Sequence, residues 1–426
     1  RRGRLPTVHR RAEPLSDAEG RSREDGGLRA LLERTGLGYF PLALISRLPF
    51  AMMVVGVLTL VVTARGSIEL GGVNSAMTGL GCASFGPLLG AAADRFGQRP
   101  ALLVSGALNS GLLGAFAWVA FSPLPDWVML TGAFLIGASA PQTSPMSRSR
   151  LVAIISRDIP VQRRPRLIGG VLAYESAADE VVFVFGPVIV GLLASTVGAW
   201  APVAGAAILT AVFVTAFAVH RTSTPAKSRA ERAATLAPAS ELARPALVIT
   251  VLGIFGVGLL FGSTLTALTS FMQDQGDAER AGLAYGAMGV GSAIFALAVA
   301  LLPPNFSLRA RWLVFALVIL FGALLLQFSR SEFGVTLSLV VMGFGTGPAL
   351  VTLYGFGARR SPEGRSATVM TMLGSAIMVG QSTGAVVTGF VAGTAGSPAA
   401  LVLPLIPAVL LLLIRGVNPF LTPASR

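Results

Sequence analysis

Three acids within six residues stand where acids are rarely kept. The run Tyr174-Glu175-Ser-Ala-Ala-Asp179-Glu180 sits inside an otherwise apolar stretch, residues 168–196. A charge at the centre of a bilayer costs about 2.5–3.5 kcal/mol on insertion scales, so three of them need a compensating reason. If a helix starts near Gly169, Asp179 lies about 15 Å along it, close to mid-membrane. Glu175 and Asp179 are four apart and share a helical face, whereas Glu180 points about 100° away. The natural partner is Arg47, the basic residue well inside an apolar stretch, about 10 Å along its helix when counted from Phe40. We expect Arg47 to pair with Glu175 or Asp179, leaving the remaining acid able to exchange a proton. A carboxyl's hold on its proton depends on burial and on nearby arginines, so a moving arginine would load and release it. The alternative is a fixed structural ion pair.

Other side chains offer little chemistry. Cys82 is the single cysteine, so an intrachain disulfide and a zinc or iron–sulfur site are excluded, and it reads as a small packing residue. The two histidines, His9 and His220, lie in the N-terminal tail and at a helix end, which argues against a metal or catalytic centre. No Walker loop and no Ser/His/Asp or Cys/His constellation appears, so neither ATP-driven transport by this chain nor enzymatic activity is expected, and no cofactor.

The elements that would hold the acids follow from composition. Hydrophobic residues make up 53% of the 426 and charged residues only 12%, where a soluble protein would carry about 25% charged. Apolar runs long enough to cross a membrane fall at 40–64, 71–93, 101–121, 127–147, 168–196 and 199–220. A second set falls at 245–271, 281–302, 312–328, 334–357, 368–394 and 399–415. All of the 33 Lys and Arg residues except Arg47, Arg65, Arg280 and Arg330 then fall on one side, in the tails and in loops 94–100, 148–167, 221–244, 303–311 and 358–367. The opposite loops carry Glu69, Asp126, Asp274, Asp277, Glu279 and Glu332. The positive-inside rule places the arginine-rich side, with both termini, in the cytoplasm. The net charge of +13 is therefore topological and does not point to nucleic acid. Residues 1–39 form a polar tail in which Leu28, Leu31 and Leu32 share a helical face, fitting either a short interfacial helix or a solvated segment. The first residue is not Met, so a trimmed or processed start is expected. Arginine replaces lysine almost everywhere (Lys227 is the exception), as in a GC-rich bacterial gene, which points to a bacterial cytoplasmic membrane.

The two sets repeat. A shift of 210 residues superposes Gly72 on Gly282, Gly79 on Gly289, Gly81 on Gly291, Phe85 on Phe295, Phe96 on Phe306 and Arg99 on Arg309. The same shift pairs Phe134 with Phe344, Gly137 with Gly347 and Arg150 with Arg360; after a shorter loop, a shift of 198 pairs Gly186 with Gly384 and Gly191 with Gly389. The organisation expected is a tail at 1–39, a six-helix bundle at 40–220, a basic linker at 221–244, a second bundle at 245–416 and a tail at 417–426. That is the plan of a transporter whose two halves rock about a central site.

The loop after the second run reads Gly90-Ala-Ala-Ala-Asp94-Arg95-Phe96-Gly97-Gln98-Arg99. It resembles the G-x-x-x-D-R-x-G-x-R signature of the major facilitator superfamily, at that family's position between spans two and three. Gly186-Pro187 with Gly191 resembles the Gly-Pro element of its exporters, and Pro362-Glu363-Gly364-Arg365 is also similar to the family. The resemblance covers residues 40–416 and implies an all-α polytopic fold, twelve transmembrane helices in two pseudo-symmetric six-helix bundles. It implies that Gly90, Asp94, Arg95, Gly97 and Arg99 act in gating, with Asp94 binding Arg148 or Arg150 and capping a helix end near Thr368. It also implies that spans 1, 4, 7 and 10 line the cavity, which nominates Phe50, Met53, Gln142, Thr143, Thr266, Thr269, Thr346 and Tyr354 for substrate. Gly186-Pro187 is expected to bend span five at the bundle interface and, with Gly191, to act in gating. In the second half, Asp94, Arg95 and Gly97 are replaced by Pro304, Asn305 and Ser307. The acid in span one and the arginine early in span four that many drug–proton antiporters carry are missing. The expected function is proton-coupled export of a lipophilic or amphipathic small molecule by a monomer whose partners are that solute, protons and lipid. A proton-linked importer, a carrier of envelope precursors, and a receptor or channel are the alternatives.

Overall fold

The computed structural model describes residues 29–223, 236–276, 280–303, 306–329 and 331–421, and among these every regular element is a helix. Among the described residues ten helices are long and apolar enough to cross a membrane, and two further spans complete a set of twelve. Span 1 joins Tyr39–Ile45 to Leu48–Arg65; span 2 is Ile68–Phe96 and span 3 is Gln98–Val119. Span 4 is Asp126–Ser139 followed by Thr143–Asp158, span 5 is Arg164–Thr196, and span 6 runs from Ala201 to Val219. Spans 7 to 10 are Pro245–Asp274, Arg280–Ala298, Leu308–Phe328 and Glu332–Arg360. Span 11 is Ser366–Ala400 and span 12 is Leu405–Leu421, so the end expected as a tail at 417 stays helical to 421.

Several irregularities have a local cause. Pro49 leaves span 1 without an N–H for Ile45 O, and the helix bends at Ser46–Arg47. Span 4, expected as one run over 127–147, is interrupted at Ala140–Pro141–Gln142, and its second part extends eleven residues beyond 147. The segment read as loop 148–167 is therefore helical to Asp158. Span 6 contains a π-helical turn at Thr210–Val214. Gly396, at φ +82°, marks the sharp turn before Pro398 near the end of span 11.

The internal repeat is also a repeat of contacts. Phe85 and Phe134 pack edge to face at 6.1 Å between spans 2 and 4, and their counterparts Phe295 and Phe344 stack at 4.2 Å between spans 8 and 10. A β-carbon on Gly137 would overlap Thr78 O, and one on Gly347 would overlap Ser292 O, so each glycine lets the same two helices touch. Each bundle has its own apolar core, one around Met53, Leu60, Leu113 and Ile136, the other around Ile254, Trp312, Ile319 and Met342.

The described end of the tail, from residue 29, packs on the first bundle. Residues 29–35 are helical, and Leu31 is buried with Tyr39, Ala43, Ile155 and Phe217. Arg221, after span 6, donates to Glu33 O at 3.2 Å. Leu28 lies outside the described residues.

Candidate functional site

The acids of span 5 meet arginines from two other helices. Because span 1 bends beside it, Arg47 reaches span 5 with both terminal nitrogens. Its Nη2 donates to Glu175 Oε2 at 2.5 Å, and its Nη1 donates to Asp179 Oδ1 at 2.9 Å and to Glu175 O at 3.1 Å. Arg148, in the second part of span 4, donates from Nη2 to Asp179 Oδ2 at 2.5 Å. Ser144 donates to the same Oδ2 at 2.9 Å, and Ser147 donates to Glu175 Oε1 at 2.9 Å. Arg47, Arg148 and Glu175 have side chains no more than 3% exposed, while Asp179 keeps 22%. Two carboxylates and two guanidiniums cancel, so the cluster is neutral overall.

Arg148 corrects two expectations at once. Arg47 is not the only cation inside the bundle, and neither Arg148 nor Arg150 is placed on Asp94. Arg150 instead donates to Gln98 Oε1 at 3.0 Å, Phe217 O at 3.1 Å and Thr222 Oγ1 at 3.1 Å. The run Thr143–Asp158 is too polar to read as a span, and the signal that it is one lies in its spacing. Ser144, Ser147 and Arg148 fall three and four apart, on one face, opposite acids that are themselves four apart.

Glu180 faces elsewhere. It forms no ion pair among the described residues; its Oε1 accepts from Ser292 Oγ of span 8 at 2.8 Å. The third acid therefore bridges the two bundles. Arg148 also reaches across, its guanidinium carbon 3.9 Å from the centroid of the Tyr354 ring of span 10.

Further bridges lie toward the arginine-rich end. Asp94 accepts from Ala367 N at 3.0 Å, Thr368 N at 2.7 Å and Thr368 Oγ1 at 2.6 Å, a carboxylate seated on the N-terminus of span 11. One turn earlier, a β-carbon on Gly90 would overlap Thr371 Oγ1 and lie 2.7 Å from Ala367 O, so only glycine lets spans 2 and 11 close here. At Gly86 the neighbour is Ser375 Oγ, 2.6 Å from such a carbon. Gly97 holds φ +97° between spans 2 and 3, a backbone state that favours glycine. Arg95 and Arg99 are exposed, with Arg95 5.3 Å from the centre of the Phe96 ring.

The model of one family, "Major Facilitator Superfamily", matches residues 39–326, more than half of the chain. The chain belongs to the major facilitator superfamily. Solved structures similar to this facilitator include the human organic anion transporter MFSD10 (TETRAN), 19% identical, covering 89% of this chain and 99% of that one at a TM-score of 0.64. The E. coli fucose:proton symporter FucP is 14% identical over 89% and 98%, with a TM-score of 0.64. A bacterial homologue of the iron transporter ferroportin in an outward-facing state is 13% identical over 88% and 97%, at 0.68. No curated protein sequence matches this chain. As a member of this family the chain is a transporter of small molecules and not an enzyme.

The facilitator's other nominated residues divide. Gly186 sits inside the first bundle, where a β-carbon would lie 2.6 Å from Ala51 Cβ of span 1, so the Gly-Pro element packs spans 5 and 1 and not the bundle interface. Pro187 and Gly191 are exposed. Met53 and Thr346 are buried, Met53 Sδ 3.9 Å from Asn109 Nδ2 and Thr346 bonded back to Gly343 O. Thr143 donates to Ser46 O, and Gln142 donates to Ala140 O and lies against Cys82 Sγ. The hydrogen bonds of Gln142 and Thr143 satisfy carbonyls at the break in span 4 and the bend in span 1. Phe50 packs edge to face on Phe183 at 6.4 Å, Thr266 is half-buried, and Thr269 is exposed. Tyr354 is occupied by Arg148.

Loosening the Asp94 contact gives a measurable change. Asp94→Asn removes the charge that three donors share. A hydrogen bond to a charged group contributes about 1.5–3 kcal/mol, so weakening by about 2 kcal/mol, roughly thirtyfold in an opening equilibrium, is expected. Thr371→Cys, buried in the closed contact, in a Cys82→Ala background should react correspondingly faster with a membrane-impermeant maleimide once Asp94→Asn is added. Equal labelling rates with and without Asp94→Asn, at matched membrane insertion, would remove the role given to Asp94.

Proposed function

We propose that this facilitator is a proton-driven secondary exporter of a lipophilic or amphipathic small molecule, working by alternating access in a bacterial cytoplasmic membrane. The observation that carries the reading is the division of labour among the span 5 acids. Glu175 and Asp179 are neutralised by Arg47 and Arg148. Glu180 instead accepts a hydrogen bond from a hydroxyl of the opposite bundle. A proton on Glu180 changes the charge at the seam between the halves, and a carboxylate without a cation is costly to enclose there. Protonation is thereby linked to whether the halves stay together.

The bridges at the arginine-rich end support a molecule closed there. With the arginine-rich side taken as cytoplasmic, this is a carrier sealed against the cytoplasm. Gly90, Asp94 and Gly97 serve the cytoplasmic closure, and Arg95 and Arg99 fix its orientation toward the cytoplasm. Phe50 and Thr266, with Asp179 at 22% exposure, belong to the solute path. The neutral and apolar character of Phe50 and Thr266 favours an amphipathic solute over a phosphate.

The test uses the purified protein in liposomes containing a trapped pH dye. A compound selected because it raises the protein's melting temperature is added to one side. An exporter by proton antiport moves protons opposite to the compound and also exchanges labelled for unlabelled compound without a gradient. Co-directional movement would make it an importer by symport, and flux without exchange would make it a channel; either removes the proposal.

A further inference from the structure

The break in span 4 has its own hydrogen-bond donor, supplied by a neighbouring helix. In an unbroken helix Ala140 N–H would bond to Ile136 O; here it turns to Gly137 O at 3.1 Å, and Pro141 has no N–H to offer. Ile136 O is taken instead by Asn109 Nδ2 of span 3 at 2.8 Å, with the Ser139 hydroxyl, bonded to Leu135 O at 2.8 Å, farther off at 3.2 Å; Asn109 is 1% exposed. The same nitrogen lies 3.3 Å from Ser139 Oγ.

Three irregular helices meet at this point. A small cavity is lined by Ser46, Phe50, Asn109, Pro141 and Val214. It joins the bend of span 1, the break of span 4 and the π-helical turn of span 6. Arg47 flanks the first irregularity, and Ser144, Ser147 and Arg148 follow the second within two turns. Both arginines that hold the span 5 acids thus hang from interrupted helices.

The second bundle lacks the device. At the shift of 210 residues Asn109 becomes Ile319, Pro141 becomes Val351 and Arg148 becomes Ala358, and span 10 runs unbroken over Glu332–Arg360. Break, donor and arginine occur together in one half and are missing together from the other.

We infer that Asn109 is a positioning residue that maintains the break in span 4 as a hinge, on which Thr143–Asp158 carries Arg148 toward and away from Asp179. The use of that movement rests on the proton-driven reading above; the hinge itself does not. A carbonyl left bare at a helix break is costly when buried, and the side-chain amide supplies what the backbone cannot. A helix whose two parts are held by a side chain of a third element can change angle without losing a backbone bond.

The test pairs a breaking change with a repairing one. Asn109→Leu leaves Ile136 O with only the hydroxyl of Ser139, which is shared with Leu135 O, and lowers the melting temperature. Pro141→Ala returns a backbone N–H for Gly137 O and releases Ala140 N–H for Ile136 O, so adding it to Asn109→Leu restores the melting temperature. Spin labels at Trp127→Cys and Arg157→Cys, both exposed and at opposite ends of span 4, are placed in a Cys82→Ala background. With Asn109 and Pro141 present, the interlabel distances have two components; the repaired double variant keeps only the longer, straight-helix component. Identical distributions in the two proteins overturn the inference, and so does a double variant no more stable than Asn109→Leu. If the distributions differ as stated yet neither responds to pH, the hinge stands and the proton-driven reading fails.

Discussion

Asp179→Asn is expected to be far less stable than the parent protein, with most of the loss recovered when Arg148→Gln is added. The single substitution leaves Arg148 at 2% exposure without its counter-charge and strips one of the two acids from Arg47. Breaking one partner of a buried pair costs about 3–5 kcal/mol, because the surviving charge stays enclosed without its partner. For a protein whose folded state is stable by about 5–15 kcal/mol, that is enough to reduce the yield of folded protein sharply. The double variant removes one charge of each sign and returns the cluster to neutrality. A double-mutant cycle in melting temperature measures the coupling. Additive effects of the two changes would mean that the bonds between these side chains carry no energy.

Glu180→Gln is expected to leave stability nearly unchanged and to abolish the dependence of transport on the proton gradient. The amide retains an oxygen for Ser292 Oγ–H, so the bridge of 2.8 Å can persist. What it loses is the ability to change charge. Downhill exchange of compound should continue within about threefold of the parent, while accumulation against a gradient falls by about a hundredfold or more, as for removal of an obligatory proton carrier. The contrast with Asp179→Asn separates the two acids: one is structural in effect and the other is not. Proton-driven accumulation by Glu180→Gln at the parent's level would transfer the role to another group.

Much of this arrangement is readable from residue order. The motif from Gly90 to Arg99 begins at the end of span 2 that closes on span 11, and the 210-residue repeat reappears as the ring pairs Phe85–Phe134 and Phe295–Phe344. Arg47 and the span 5 acids are legible because charges are conspicuous against apolar surroundings. Arg148 is not. It lies in a polar run with a positive-inside bias, and only its burial against Asp179 and Tyr354 separates it from a loop arginine. The break in span 4 is hidden for a related reason: Pro141 marks a kink, but the donor that makes the kink tolerable comes from Asn109, 32 residues earlier in sequence. Gly186 packs on a surface other than the expected one because a glycine shows that something approaches closely, not what approaches. Leu31 resembles an interfacial residue until Phe217 and Ile155 supply its partners. Contacts between distant segments are set by packing, which periodicity within one helix does not encode.

The central claim is that proton exchange at Glu180 controls whether the two bundles stay closed at the arginine-rich end. It is tested most directly by interlabel distances between Arg99→Cys and Arg359→Cys, exposed positions on opposite bundles at that end, in a Cys82→Ala background. Distributions are recorded in acidic and in alkaline buffer. The account predicts that the parent populates a closed and an open distance in proportions that change with pH, and that Glu180→Gln holds one proportion throughout. A Glu180→Gln protein whose distances follow pH as the parent's do would contradict it.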